Sequence, residues 1–117
     1  MSVLLDEQGN VVCERLSVAD SPRARMRGLL GRDSMDPGEC LLLQPAGSVH
    51  TAFMRFPIDV VFLDRAMRVL RVEPNLRPWR MAGQRGSRAV LEMDAGGAAR
   101  SGIAAGMQLQ FGEAGAA

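Results

Sequence analysis

The sequence predicts a mainly-β fold (β-rich α+β), a compact β-sandwich or partly open barrel carrying one short helix near residues 21–30. Two observations lead there. Short apolar runs recur along the chain, separated by Gly, Pro, Asn and Asp clusters, as in small all-β domains. One stretch alone combines helix start and stop signals, and no internal repeat or linker divides the 117 residues, so a single domain spanning 1–117 is expected.

In chain order, Ser2 to Leu5 and Val11 to Val18 are strand-like and bracket the turn-rich Asp6-Glu7-Gln8-Gly9-Asn10, which reads as a hairpin. Asp20-Ser21-Pro22 supplies an N-cap and a first-turn proline. Pro22, Met26, Leu29 and Leu30 then share one helical face, expected inward, with Gly31 as the stop. Cys40 to Leu43 is an apolar run suited to a strand buried on both sides. Alternation from Ser48 to Phe56 assigns Val49, Thr51, Phe53 and Arg55 to one face, and His50, Ala52, Met54 and Phe56 to the other.

Pro57 interrupts that run, and Ile58 to Leu63 resumes as a nearly continuous apolar strand. Asp64 to Met67 reads as a hairpin connection into Arg68 to Glu73, with Asp64 bonding nearby backbone N–H groups. Residues 74–87, with Pro74, Pro78, Gly83 and Gly86, form the longest expected irregular segment. Arg88 to Met93 is another strand, and 95–100 a helical turn or loop. Gly106 to Phe111 closes the sheet, and 112–117 is expected to be a frayed tail.

Composition excludes several classes. Surface scaling puts roughly two-thirds of the unfolded area inside the fold, enough for a core without metal or disulfide staples. A formal net charge of +1 argues against a general polyanion binder. The positives are nonetheless uneven: all are arginine, and between Arg65 and Arg88 Glu73 is the lone acid. No run approaches the ~20 apolar residues of a membrane helix. The N-terminal Met-Ser-Val-Leu-Leu-Asp-Glu has no basic region before an apolar one, so a cytoplasmic protein is expected. Cys13 and Cys40, outside any Cys-x-x-Cys pair, read as buried small hydrophobes.

Gly28-Leu29-Leu30-Gly31-Arg32, the block His50 to Asp64, Pro78-Trp79, Val90 to Gly96, and Gly102-Ile103 with Gly106 occur in order. In these residues the chain resembles the family catalogued as domain of unknown function 192, over about residues 20–111. The resemblance implies a mainly-β, sandwich-type fold and no activity. Ala52 stands where relatives often carry an aromatic residue, and Met107 where they often carry an aspartate. Some relatives are exported.

The candidate site residues follow from chemistry. His50, the one histidine, has the side chain suited to general-base work near neutral pH, with Asp59 or Glu92 to orient it. The competing reading is a buried histidine that holds backbone groups. Arg55 and Asp59 flank the Pro57 break: an ion pair across it competes with a ligand-facing role for either, and Asp59 is expected to be coupled to Arg55, His50 or backbone donors. Trp79 lies in the breaker-rich loop beside Arg80: either a hydrophobic lid, or a stacking platform for a planar or anionic ligand. The methionines read as core filler, and no nucleophile elbow, phosphate loop or metal-ligand spacing is present.

The expected function is thus a non-catalytic binding domain, holding a small, anionic ligand or a peptide near Arg55, Trp79 and Arg80. The alternatives are an acid–base enzyme built on His50 with Asp59 or Glu92, and a nucleic-acid contact through Arg65 to Arg88. No metal, cofactor or membrane association is expected.

Overall fold

The computed structural model describes residues 2–113. Strand β1 (Ser2–Leu5) pairs antiparallel with β2 (Val11–Cys13), and the Asp6 carboxylate closes the turn by accepting from the Gln8 and Asn10 N–H groups, both at 2.9 Å. The expected strand Val11 to Val18 breaks at Glu14. There the Glu14 and Arg15 N–H groups both donate to the Gly38 carbonyl, at 3.1 and 2.9 Å, and the chain leaves for a second sheet. Its continuation, β3 (Arg15–Ala19), runs parallel to β4 (Glu39–Leu43). Parallel neighbours need a crossover rather than a hairpin, and residues 20–38 provide it.

The crossover carries α1 (Pro22–Arg27), capped by the Ser21 hydroxyl, which accepts from the Ala24 N–H at 3.1 Å. The helix ends at Gly28, whose φ of +45° takes it out of the helical region, one turn before the expected stop at Gly31. The inward stripe therefore fails. Met26 is 79% exposed and Leu30 lies at the surface, while Leu29, beyond the helix, is 3% exposed. Six residues make under two turns, too few to complete an apolar stripe. Leu29 docks from the following turn instead.

Strands β6 (Ile58–Leu63), β7 (Val69–Leu76) and β9 (Ala89–Asp94) complete a five-stranded sheet in the order β3-β4-β9-β6-β7. Pro74, inside β7, sits on the sheet's edge, where a missing donor is tolerated. Asp64 shapes the β6–β7 turn, accepting from the Ala66 and Arg68 N–H groups at 2.8 and 2.9 Å. One face of this sheet packs on a three-stranded sheet in which β10 (Gln110–Glu113) joins β1 and β2. That layer buries Leu4, Val12 and Cys13 with Leu42, Val61 and Leu91. Cys13 and Cys40 lie here as free, buried thiols, and the Cys13 S–H donates to the Gly38 carbonyl at 3.9 Å.

The opposite face carries Ile58, Val60, Phe62 and Val90, covered by Leu29 and Met35 of the crossover and by Met54. Beside them lies a two-stranded ribbon of β5 (Ser48–His50) and β8 (Met81–Gly83). The expected strand from Ser48 to Phe56 thus stops at His50, and residues 74–87 hold the end of β7 and all of β8 rather than one irregular loop. The result is mainly β and layered like a sandwich, with open sheets rather than a barrel. A second short helix, α2 (Gly97–Arg100), stands where a helical turn or loop was expected. Gly112 and Glu113, expected in a frayed tail, pair with Val3 and Ser2; residues 114–117 of that tail lie outside the described residues.

Asp59 ties the end of the large sheet together. It is fully buried, and its carboxylate accepts from the Asn75 N–H at 2.9 Å, the Gly96 N–H at 3.1 Å and the Ala98 N–H at 3.0 Å. One side chain thereby fixes the end of β7 and the start of α2. Asp59→Ala strands these donors, at about 1–3 kcal/mol for each that stays buried. Urea unfolding should show a loss of about 3 kcal/mol or more; a loss below about 1 kcal/mol contradicts the anchoring role. In the same assay Leu29→Ala should cost about 2–5 kcal/mol, and Met26→Ala less than about 0.5 kcal/mol.

Candidate functional site

Past β5 the chain turns at Thr51, which is completely buried. Its N–H donates to the Arg80 carbonyl at 2.8 Å, and its own carbonyl accepts from Met54 and Trp79 N–H groups at 3.1 and 3.0 Å. Its hydroxyl donates to the Arg77 carbonyl at 2.5 Å and accepts from the Arg80 N–H at 2.9 Å. Thr51 therefore clamps the 51–54 turn to the 77–80 turn.

Each turn raises one aromatic residue on left-handed backbone: Phe53 at φ +65° and Trp79 at φ +64°. For bulky side chains that conformation costs on the order of 1–3 kcal/mol each. The two rings meet with centroids 4.6 Å apart and planes tilted by 59°. Neither is covered: Phe53 is 71% and Trp79 60% exposed. The indole is thus no lid over the core. With His50, Ala52, Arg80 and the exposed Met81 it borders a shallow hollow. Arg55 lies apart, its guanidinium on Asp33 at 2.7 Å at the surface, so the ion pair with Asp59 across Pro57 is not formed.

His50 also borders a second, deeper cleft of about 260 Å³ between the α1 crossover and the segment from Leu43 to His50. Its floor is Glu92. On β9 this residue lies opposite Leu41 of β4 and Val60 of β6, in the middle of the sheet. Side chains alternate along a strand, so Glu92 shares the face of Val90, away from the Leu91 and Met93 core. It is 3% exposed, and no hydrogen-bond donor among the described residues reaches its carboxyl. Burial pushes its pKa up to about 7.

Two arginines line the same cleft as this acid. Arg25, half-buried at the cleft wall, donates through one terminal nitrogen to the carbonyls of Asp20 and Gln44, at 3.1 and 3.4 Å. No described carboxylate pairs with it, whereas Arg32, Arg55, Arg71 and Arg100 each hold an acid. Arg27 lines the same cleft, and Glu92 is the acid among its lining residues. His50 and Glu92 thus share one cavity without a bond between them, while Asp59 serves backbone donors at the end of the sheet. Among the described residues no cluster of three or more His, Cys, Asp or Glu side chains is placed to hold a metal ion.

Reading the sequence missed Thr51 as a clamp, Phe53 as half of the aromatic pair, and Arg25 as a cleft residue. The dense block from His50 to Pro57 marked the region, but its alternation imitated a strand and concealed the turn. Nothing local distinguishes Arg25 from its neighbours Arg23 and Arg27.

Fold and site together define a small mainly-β domain with a buried acid in a cleft and exposed aromatic rings beside it. The chain belongs to the DUF192 family, described as Uncharacterized ACR, which matches residues 3–111. The match begins within β1, ahead of the residues 20–111 in which the resemblance lies. Two solved structures share the fold. A protein of unknown function from Novosphingobium aromaticivorans has 24% identity over 93% of this chain and 82% of its own, with a TM-score of 0.79. A "putative transcription regulator" from Sinorhizobium meliloti has 22% identity over 94% of this chain and 91% of its own, with a TM-score of 0.81. No curated protein matches the chain.

Glu92 gives the fold a definite pH dependence. Its pKa rises from the ordinary 4.5 to about 7 on folding, so the folded state retains a proton that the unfolded chain releases. Its burial carries no penalty below pH 4.5, a growing one up to pH 7, and a constant one of about 3 kcal/mol above. Urea titrations from pH 5 to 8 should therefore show the wild type losing stability relative to Glu92→Gln. Parallel pH profiles for the two proteins contradict the assignment.

Proposed function

We propose that this chain is a non-catalytic binding domain, taking a small ligand or peptide where the Phe53–Trp79 pair, His50 and Arg80 meet the Glu92 cleft. The observation that carries the reading is the strained, exposed aromatic pair. Two left-handed aromatic residues held in place by a buried threonine oppose stability, and their rings bury little in return. Backbone strain of this kind collects at ligand sites, where it preorganises contact groups. Large rigid rings offer binding area at low conformational cost, and Arg80 beside them suits an anion. No helix among the described residues is long and apolar enough to cross a membrane, and two free thiols in the core fit a reducing, cytoplasmic setting.

A catalytic reading draws on one observation. An acid with its pKa near neutrality, in a cleft shared with His50, has the property wanted of a general acid–base pair. It ranks second because the two side chains share the cleft with no described hydrogen bond between them. The nucleic-acid reading has less behind it. Arg65 and Arg88 border a separate hollow, Arg71 pairs with Glu73 over the Phe62 ring, and Arg68 holds the Gly106 carbonyl.

Trp79 is the sole tryptophan, so its fluorescence reports this site. A screen of small carboxylates, phosphates, nucleotides and short peptides should find at least one that shifts the emission. Arg80→Ala and Phe53→Gly should weaken that response by about fivefold or more. Glycine accepts the left-handed backbone, so Phe53→Gly should leave stability within about 1 kcal/mol of wild type. A signal that no compound moves, or that Phe53→Gly leaves intact, overturns the binding site. Turnover of a bound compound that His50→Ala abolishes would favour the enzyme instead.

A further inference from the structure

Resting on that binding reading, we propose that the cleft takes a small carboxylate ligand, held by Arg25 and by a hydrogen bond donated from protonated Glu92, so that binding takes up one proton. The cavity, at about 260 Å³, is smaller than the roughly 300 Å³ at the low end for drug-sized ligands. Its apolar lining includes Leu29, Val49 and Met54, so the occupant has a compact hydrocarbon body. Its charged groups are unevenly signed, Arg25 and Arg27 against Glu92, with Ser48 and His50 as further polar lining.

Two groups in this cleft have bonding capacity to spare. The Glu92 carboxyl accepts no described hydrogen bond from the protein, and its oxygens open onto the cleft rather than being sealed off. Arg25 is steadied by backbone carbonyls and has no acid, which leaves the rest of its guanidinium fork available. An ionised carboxylate ligand satisfies both. One oxygen accepts from Arg25, and the other accepts the Glu92 O–H in a charge-assisted bond, among the strongest available to neutral donors. Were Glu92 ionised, the two carboxylates would repel each other in a site of low dielectric. The ligand therefore selects the protonated acid and draws a proton from solvent when Glu92 was ionised beforehand.

The surroundings leave this linkage to Glu92 and His50. On β4, Glu39 is held by Arg32 at 2.8 Å, and on β7, Glu73 is held by Arg71 at 2.9 Å. Further along β9, Asp94 is held by Arg100 at 2.8 Å. The β6 residues on this face are Ile58, Val60 and Phe62, none of them ionisable. Arg25 and Arg27 of the crossover stay charged throughout. A charged His50 at the mouth would attract the same anion, so the two contributions need separate variants.

Calorimetry of the full-length chain with acetate, butyrate and benzoate, in two buffers of different ionisation enthalpy, tests the proposal. Wild type should take up close to one proton per ligand at pH 8, and its affinity should fall about tenfold from pH 7.5 to 8.5. Glu92→Gln still offers a donor, so it should bind with no proton uptake and an affinity independent of pH. His50→Gln should keep the wild-type proton uptake, and Arg25→Met should bind at least about tenfold more weakly. No uptake in wild type, or undiminished uptake in Glu92→Gln, overturns the proposal. So does binding confined to inorganic phosphate, or to an alkylamine whose affinity rises with pH as it pairs with ionised Glu92. If carboxylates fail while another compound shifts Trp79 emission, the binding domain stands and this ligand class falls.

Discussion

Strands β6 and β9 run side by side through the middle of the five-stranded sheet, packed on both faces except where the cleft opens onto Glu92. A polar side chain on either strand needs a partner within the protein or an opening to solvent. Two carboxylates lie there, and the same constraint is met in opposite ways. Asp59, at the sheet's end, reaches backbone N–H groups of two neighbouring segments and becomes a structural anchor. Glu92, at mid-sheet, faces a cavity instead and keeps its proton to a pKa of about 7. Burial alone would make both acids candidates for chemistry, and only the supply of donors separates them.

That cavity exists because of how β3 and β4 are joined. Their parallel pairing requires a crossover, and the crossover lies over the Glu92 face. The helix within it is too short to seal the sheet, so Leu29, Met35 and Met54 plug part of the surface and leave the rest open. The β5–β8 ribbon forms the next section of cover and places His50 between the cleft and the aromatic hollow. A topological requirement thus produces an incompletely filled layer, and the charged groups of the crossover line it.

The aromatic pair shows the opposite economy, with order maintained where packing gains little. Thr51 satisfies its own backbone groups by joining two turns, and the turn it fixes after β5 ends the strand. Phe53 and Trp79 then take backbone conformations that their own bulk disfavours. A local device of this kind escapes periodicity. From His50 to Phe56 the residues alternate as a strand does, and only the clamp from Arg77 to Arg80, more than twenty-five residues away in sequence, turns them aside.

What the sequence determined by itself was whatever depends on near neighbours along the chain. The apolar runs Cys40 to Leu43, Ile58 to Leu63 and Arg88 to Met93 became strands of the buried sheet, because such runs leave few other ways to hide their surface. Asp64 shaped its turn through donors two and four residues on. The specific block from His50 to Asp64 marked the family, and the region of the site with it. The tertiary structure decided everything that rests on contacts distant in sequence. It set the break at Glu14, the exposure of Met26, the separate surroundings of Asp59 and Glu92, and the meeting of Phe53 with Trp79. In each case the deciding partner is a carbonyl, a donor, a ring or a packed layer brought close by the fold. The pattern around the residue itself says nothing of it.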